Sequence, residues 1–222
     1  MTKIGCIYRS VCRIRQQPPG VNNSCLDVHR PNDQFCGMSS RYSISFNAPL
    51  TLWFTFVCLG VFFAAGIYEG LMEQYFVLRP AFDYRNGVSW FTLMSYSVGH
   101  ADLGHLLGNL SFILLLGPVL EHKYGIRDVF LMMVLTVLAT AVINLLFFRA
   151  AIIGCSGIVF MFIMLTSFSN GKRNTVPLTF LLVGVLFLGK EILESYQQDQ
   201  VAQFAHIIGG VCGSLFGLVK GK

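Results

Sequence analysis

Four polar side chains stand out in a chain otherwise built for hydrocarbon: Ser156, His206, His105 and Asn109. A serine hydroxyl becomes a nucleophile when a neighbouring base takes its proton, and a neutral histidine with a pKa of about 6.5 can act as that base. The charge that develops on an attacked carbonyl needs donors already aimed at it. The Asn109 amide, His105 and the backbone N–H of Ser156 are of the right type. No acidic residue lies near His206 in sequence or at comparable depth, so the pattern predicts a Ser–His dyad and not a triad. "GCSGI" also departs from the G-x-S-x-G elbow, because Ile158 fills its last position.

Each residue has an ordinary reading as well. A serine within a helix often satisfies itself on the carbonyl four residues back. His105 and Asn109, four apart and on one helix face, equally suit a helix–helix hydrogen bond. What raises them above this is their shared depth, which depends on the elements that carry them.

The chain has 222 residues, 54% hydrophobic and 12% charged, with a mean hydropathy of +0.62. Soluble domains carry about 25% charged residues, so this composition indicates a membrane protein. Apolar residues form blocks of spanning length, near 49–68, 103–120, 129–148, 153–168, 176–188 and 201–219. The expected fold is all-α: a six-helix membrane bundle over 49–222, after a polar, poorly ordered cytosolic extension at 1–48. No apolar block opens the chain behind a basic stretch, so a cleaved signal peptide is not expected. The fourth span is short. From Ser156 to Phe168 it reaches about 20 Å, against a hydrocarbon core of about 30 Å, so it is expected to start below the membrane surface.

The net charge of +5 is a topology signal and not a nucleic-acid patch. With the N-terminus in the cytosol, twelve of the sixteen Lys and Arg residues fall on that side. The other side holds Arg79, Arg85, Arg149 and Lys190. This predicts N-in, C-in. The first external loop, 69–102, is long and rich in aromatics (Tyr75, Phe76, Phe82, Trp90, Phe91, Tyr96), which suit a membrane interface. Cys58, Cys155 and Cys212 sit in apolar segments as small hydrophobes. Cys6, Cys12, Cys25 and Cys36 share the tail without a C-x-x-C pair, so no metal site is expected there.

With this topology the second, fourth and sixth spans all run inward from the external face, each with its polar residues near its start. They bring His100, His105 and Asn109, then Ser156, then His206 to one level. Ionisable residues inside a membrane are costly and mark function by default. Gly209, Gly213 and Gly217 follow His206 at +3, +7 and +11, a stripe that lets another backbone approach. If the fourth helix enters there at Gly157, Ser156 and His206 come within reach of each other. Gly104 and Gly108 do similar work on the second span. His100 lies off the His105 face and is expected to brace the loop.

These residues resemble the rhomboid family of intramembrane serine proteases. The family's H-x4-H-x3-N is matched by His100, His105 and Asn109; its G-x-S-G by Gly154, Cys155, Ser156 and Gly157; and its A-H-x-x-G-x-x-x-G by Ala205, His206, Gly209 and Gly213. The likeness covers roughly 49–222. It implies a Ser156 nucleophile, a His206 base that later serves as acid, and Asn109 and His105 as oxyanion donors. It also implies a first external loop lying partly in the membrane and a structural role for Glu121. Two positions depart from the family: Phe91 follows Trp90 where Arg is common, and Phe160 stands where a tyrosine commonly stacks on the histidine. The 48-residue extension resembles nothing recognisable, and Met38 offers an alternative start.

The expected function is therefore a serine endopeptidase that cuts transmembrane segments of other proteins near the external face, through an acyl-enzyme, without metal or organic cofactor. Its partners would be transmembrane substrates and the lipid bilayer, not nucleic acid, and its place a bacterial inner membrane. One alternative is an inactive rhomboid-like binder of membrane clients, although such relatives typically lack the serine or the histidine. A transporter with a midplane site would need paired broken helices in two related halves, and none is visible.

Overall fold

The computed structural model describes residues 46–167, 178–183, 185–186 and 200–220, within a unit that spans Ser45–Lys222. The 1–48 extension and its cysteines lie almost wholly outside the described residues. So does much of the fifth span, of which 178–183 and 185–186 are helical. The described residues are all-helical, with no strand and one isolated antiparallel bridge between Leu78 and Ile152.

The order is α1 (Pro49–Ile67), α2 (Leu71–Tyr75), α3 (Gly87–Ser95) with a 3-10 turn at Tyr96–Val98, α4 (Leu103–Tyr124), α5 (Ile126–Ile143) with a π turn at Asn144–Phe148, α6 (Ser156–Ser167) and α7 (Gln200–Lys220). Three described helices are long and apolar enough to cross a membrane: Pro49–Ile67, Leu103–Tyr124 and Ile126–Phe148. The chain is an integral membrane protein.

Burial is arranged around α6. Its twelve described residues, Ser156–Ser167, cover about 18 Å. A helix that is apolar all round belongs in the interior. Ile158, Val159, Phe160, Met161, Phe162, Met164 and Leu165 are accordingly all buried, with α4, α5 and α7 around them. The outer helices turn large apolar side chains outward instead, including Trp53, Phe56, Phe112, Leu115, Phe130 and Leu131.

Two junctions fix the frame. Pro49 opens α1, and the cap residue Ala48 offers no side-chain acceptor. The carboxylate of Glu121, near the end of α4, takes that role. It accepts from Leu50 N at 3.2 Å, Thr51 N at 2.7 Å and the Thr51 hydroxyl at 2.5 Å. An anion suits a helix N-terminus, and a buried carboxylate needs such donors. This is the structural role the resemblance implied for Glu121. One residue, Gly125, then separates α4 from α5, and its φ of +81° is reached cheaply only by glycine. α4 and α5 therefore extend past the limits of 120 and 129 read from hydropathy.

The loop between α1 and α4 is folded. Asn86 caps α3 by accepting from Val88 N, Trp90 Nε1 donates to the Tyr84 carbonyl, and the Ser95 hydroxyl bonds the Tyr75 carbonyl. Phe82 and Trp90 meet edge to face.

Candidate active site

Ser156 is placed by the short segment that precedes it. α5 ends in a π turn, where buried Asn144 donates to the Ala150 carbonyl at 2.8 Å and Arg149 turns the chain at φ +49°. The chain then runs extended back along the loop. Leu78 and Ile152 exchange two backbone hydrogen bonds of 3.0 Å, and Gly154 N donates to the Tyr96 carbonyl at 2.9 Å. Tyr96 is itself anchored by its hydroxyl to the Val137 carbonyl. Gly154 has φ +111°, and a side chain there would strike the His105 ring at 2.7 Å. Only glycine serves at this point. Cys155 then closes the turn, its carbonyl accepting from Ile158 N and Val159 N, and Ser156 begins α6.

His206 is placed by the contact between α6 and α7, the most extensive helix pair described. A Cβ on Gly209 would overlap the Gly157 carbonyl, and one on Gly213 would overlap that of Met161. A Cβ on Gly157 would stand 3.3 Å from the Ala205 carbonyl. The residues beside Ser156 and His206 thus touch backbone to backbone, and the glycine stripe has α6 as its partner. The Phe160 and His206 rings stack at 4.0 Å with 6° between their planes. Phenylalanine supplies the stacking surface without a hydroxyl. Phe148 and Phe204 stack at 3.8 Å near the start of α7.

α4 brings the third part. Asp102 caps it by accepting from His105 N at 2.8 Å, so His105 lies in the first turn and Asn109 one turn further on. Ser156, His206, His105, Asn109 and Gly154 all line one cavity of about 650 Å³, together with Phe160 and Tyr96. Asn109 is 7% exposed, and its amide nitrogen has no hydrogen-bond partner among the described residues. Buried donors are rarely left unpaired, so this one is available to a ligand. As the first residue of α6, Ser156 also has a backbone N–H without an acceptor inside its helix.

His100 does not line the cavity. It is 1% exposed, with Nδ1 bonded to the Val98 carbonyl at 3.3 Å and its ring edge-on to His105 at 5.2 Å. Its Nδ1 contact is to the loop that it is expected to brace. Burial, and next the neighbouring His105, lower its pKa to about 4. Burial also raises the Tyr96 phenol.

A second polar element was not singled out in the sequence. A small cavity of about 10 Å³, room for one water, lies behind the Ser156 turn. Tyr96, Thr136, Thr140, Cys155 and Gly157 line it. Thr136, Thr140 and Asn144 recur every four residues on the buried face of α5, and that spacing was the available signal. Among the described residues, no group of three or more His, Cys, Asp or Glu side chains is placed to hold a metal ion.

The family model described as "Rhomboid domain" matches residues 87–222. The chain is 24% identical over 181 residues to "Rhomboid protease GlpG" of Haemophilus influenzae, covering 78% of this chain and 91% of that protein. It is 31% identical over 143 residues to "RHOMBOID-like protein 4" of Arabidopsis thaliana, covering 60% of this chain and 34% of that one. "Rhomboid-like protein 11, chloroplastic", of the same plant, is 24% identical over 172 residues, 74% of this chain and 55% of the relative. The match thus spans nearly all of the bacterial relative but only a third to a half of the plant ones.

Proposed function

Because this chain belongs to the rhomboid family, we propose that it is an intramembrane serine endopeptidase that cleaves transmembrane segments near the external face. The observation that supports the reading is that Ser156 and His206 line one cavity, on helices packed together at Gly157 and Gly209.

His206 takes the Ser156 proton as the hydroxyl attacks the scissile carbonyl, and the Phe160 stack holds the imidazole plane for the transfer. The oxyanion faces the unpaired Asn109 amide, His105 and the Ser156 N–H, all preoriented and partly shielded from water. His206 then protonates the leaving amine. Water, deprotonated by the same imidazole, releases the acyl group from Ser156. The dyad runs without metal or organic cofactor. A substrate helix must unwind locally, because its carbonyls are otherwise bonded within the helix. Residues that favour unwinding are therefore expected near the cut. The loop with α2 and α3 lies partly in the membrane beside the bundle, both termini face the cytosol, and a bacterial inner membrane is the proposed location.

The test is cleavage of a reporter transmembrane substrate in liposomes by wild type, Ser156→Ala and His206→Ala. The reading expects both variants to be inert. Cleavage that survives either substitution would remove that residue from the mechanism. A client-binding protein without activity would instead retain the substrate uncut in wild type.

A further inference from the structure

Behind the nucleophile turn lies a group of buried polar atoms that the hydrolytic scheme leaves unused. The Cys155 thiol, 1% exposed, is 3.5 Å from Nε2 of His100. The thiol of Cys58, a fully buried residue of α1, lies beside it as a second acceptor for the single Cys155 proton. The other His100 nitrogen, Nδ1, faces the Val98 carbonyl, which can only accept. Nδ1 therefore carries the proton of the neutral ring, and Nε2 is left to accept from the Cys155 S–H. Burial and the adjacent His105 keep the ring neutral by holding its pKa near 4. The same ring makes the edge contact with His105, and His105 covers Gly154. A continuous set of contacts thus leads from α1 through Cys155 and His100 to the histidine on the oxyanion side.

We propose that Cys155 is a positioning residue: its thiol, held against Nε2, fixes the tilt of the His100 ring whose tautomer the Val98 carbonyl sets, and that ring sets the angle at which His105 faces the cavity. The effect on rate rests on the hydrolytic reading above, whereas the thiol–imidazole bond does not. A thiol is a weak donor. Its removal nevertheless leaves a buried ring nitrogen unsatisfied and frees the ring to tilt. His105 would then meet the oxyanion less squarely, an effect on the transition state and not on substrate capture.

The experiment combines histidine 15N NMR with steady-state cleavage on the full-length protein in nanodiscs. Wild type is compared with Cys155→Ala, Cys155→Val and Cys155→Ser. Expected for wild type is a His100 signature with protonated Nδ1 and bare Nε2. In Cys155→Ala the Nε2 resonance shifts as its hydrogen bond is lost while Nδ1 stays protonated, and kcat falls about three- to tenfold at unchanged KM. Serine, which keeps a donor, restores both. Should the alanine variant unfold, Cys155→Val gives the same reading, since it fills the space without a donor. An unaltered His100 spectrum in the donor-free variants overturns the proposal. So does a kcat loss that serine leaves unrestored while the melting temperature falls in step, which marks plain packing. If wild type itself cleaves nothing, the protease reading fails, and the spectrum still decides the Cys155–His100 bond.

Discussion

Replacing Gly209 by alanine tests how the dyad is assembled. The new Cβ would overlap the Gly157 carbonyl oxygen and lie 2.8 Å from its carbon and 2.9 Å from its Cα. Ordinary contacts lie at about 3.5–4.0 Å between carbons, and the overlapped oxygen is nearer still, so α6 and α7 must part by roughly 1 Å or more at the level of Ser156 and His206. Backbone cannot yield as the end of a flexible side chain does. Overpacking of this kind costs about 1–3 kcal/mol of stability. Misplacing reacting groups by about 1 Å costs on the order of 100-fold in rate. The neighbouring residue supplies the control. A Cβ on Gly210 meets only Met164 Cγ, at 3.7 Å, an ordinary contact. Gly209→Ala is therefore expected to lose about 100-fold in kcat against a reporter transmembrane substrate, while Gly210→Ala stays within about twofold of wild type. Melting temperatures recorded in the same micelles separate loss of fold from loss of alignment. Wild-type turnover by Gly209→Ala, or equal losses from both variants, would refute the close-contact account.

Other perturbations reach the remaining parts. Phe160→Leu removes the stack on His206, and an aromatic pair of about 0.5–1.5 kcal/mol corresponds to a two- to tenfold fall in kcat, read by the same cleavage assay; an unchanged rate would show that the ring plane needs no support. Glu121→Gln weakens three hydrogen bonds at the start of α1 and is expected to lower stability by about 1–3 kcal/mol, measured by thermal unfolding, with little change in kcat per folded molecule. Thr140→Val takes a hydroxyl from the small cavity behind Ser156 and is expected to slow cleavage without loss of folding, which a parallel reading of rate and melting temperature checks. His100 is neutral in the fold with a pKa near 4, below its unfolded value of 6.5, so it favours protonation of the unfolded chain. Its share of stability is whole above about pH 6.5 and is lost as pH falls toward 4, by on the order of 2–3 kcal/mol; His100→Gln should flatten that part of the melting-temperature profile.

Much of this was legible in the sequence because lipid leaves few choices. A helix facing hydrocarbon must be apolar, so α1, α4 and α5 stand out as blocks, and the start of α6 is marked by Ser156 interrupting one. The polar residues of three spans shared a depth, and the glycine stripe after His206 announced a close backbone neighbour. It could not name α6 as that neighbour, which only the packing of Gly209 on Gly157 does. Hydropathy ended the second span at 120, because Glu121 reads as surface until α1 supplies its buried donors. The π turn that delivers residues 150–155 is equally hidden, since nothing in "NLLFFRA" records the αL turn at Arg149. Cys155 read as a small hydrophobe, and its thiol does lie buried. Its bond to His100 joins residues 55 apart in sequence, and no local pattern encodes it.

Covalent trapping probes the dyad most directly. A fluorophosphonate offered to the protein in native-like lipid should add one phosphonyl group to wild type, located on Ser156 by peptide mass mapping. Ser156→Ala should take up none, and His206→Ala should react far more slowly, for want of a base. Labelling at another residue, or labelling undiminished by loss of His206, would contradict a serine activated by that imidazole.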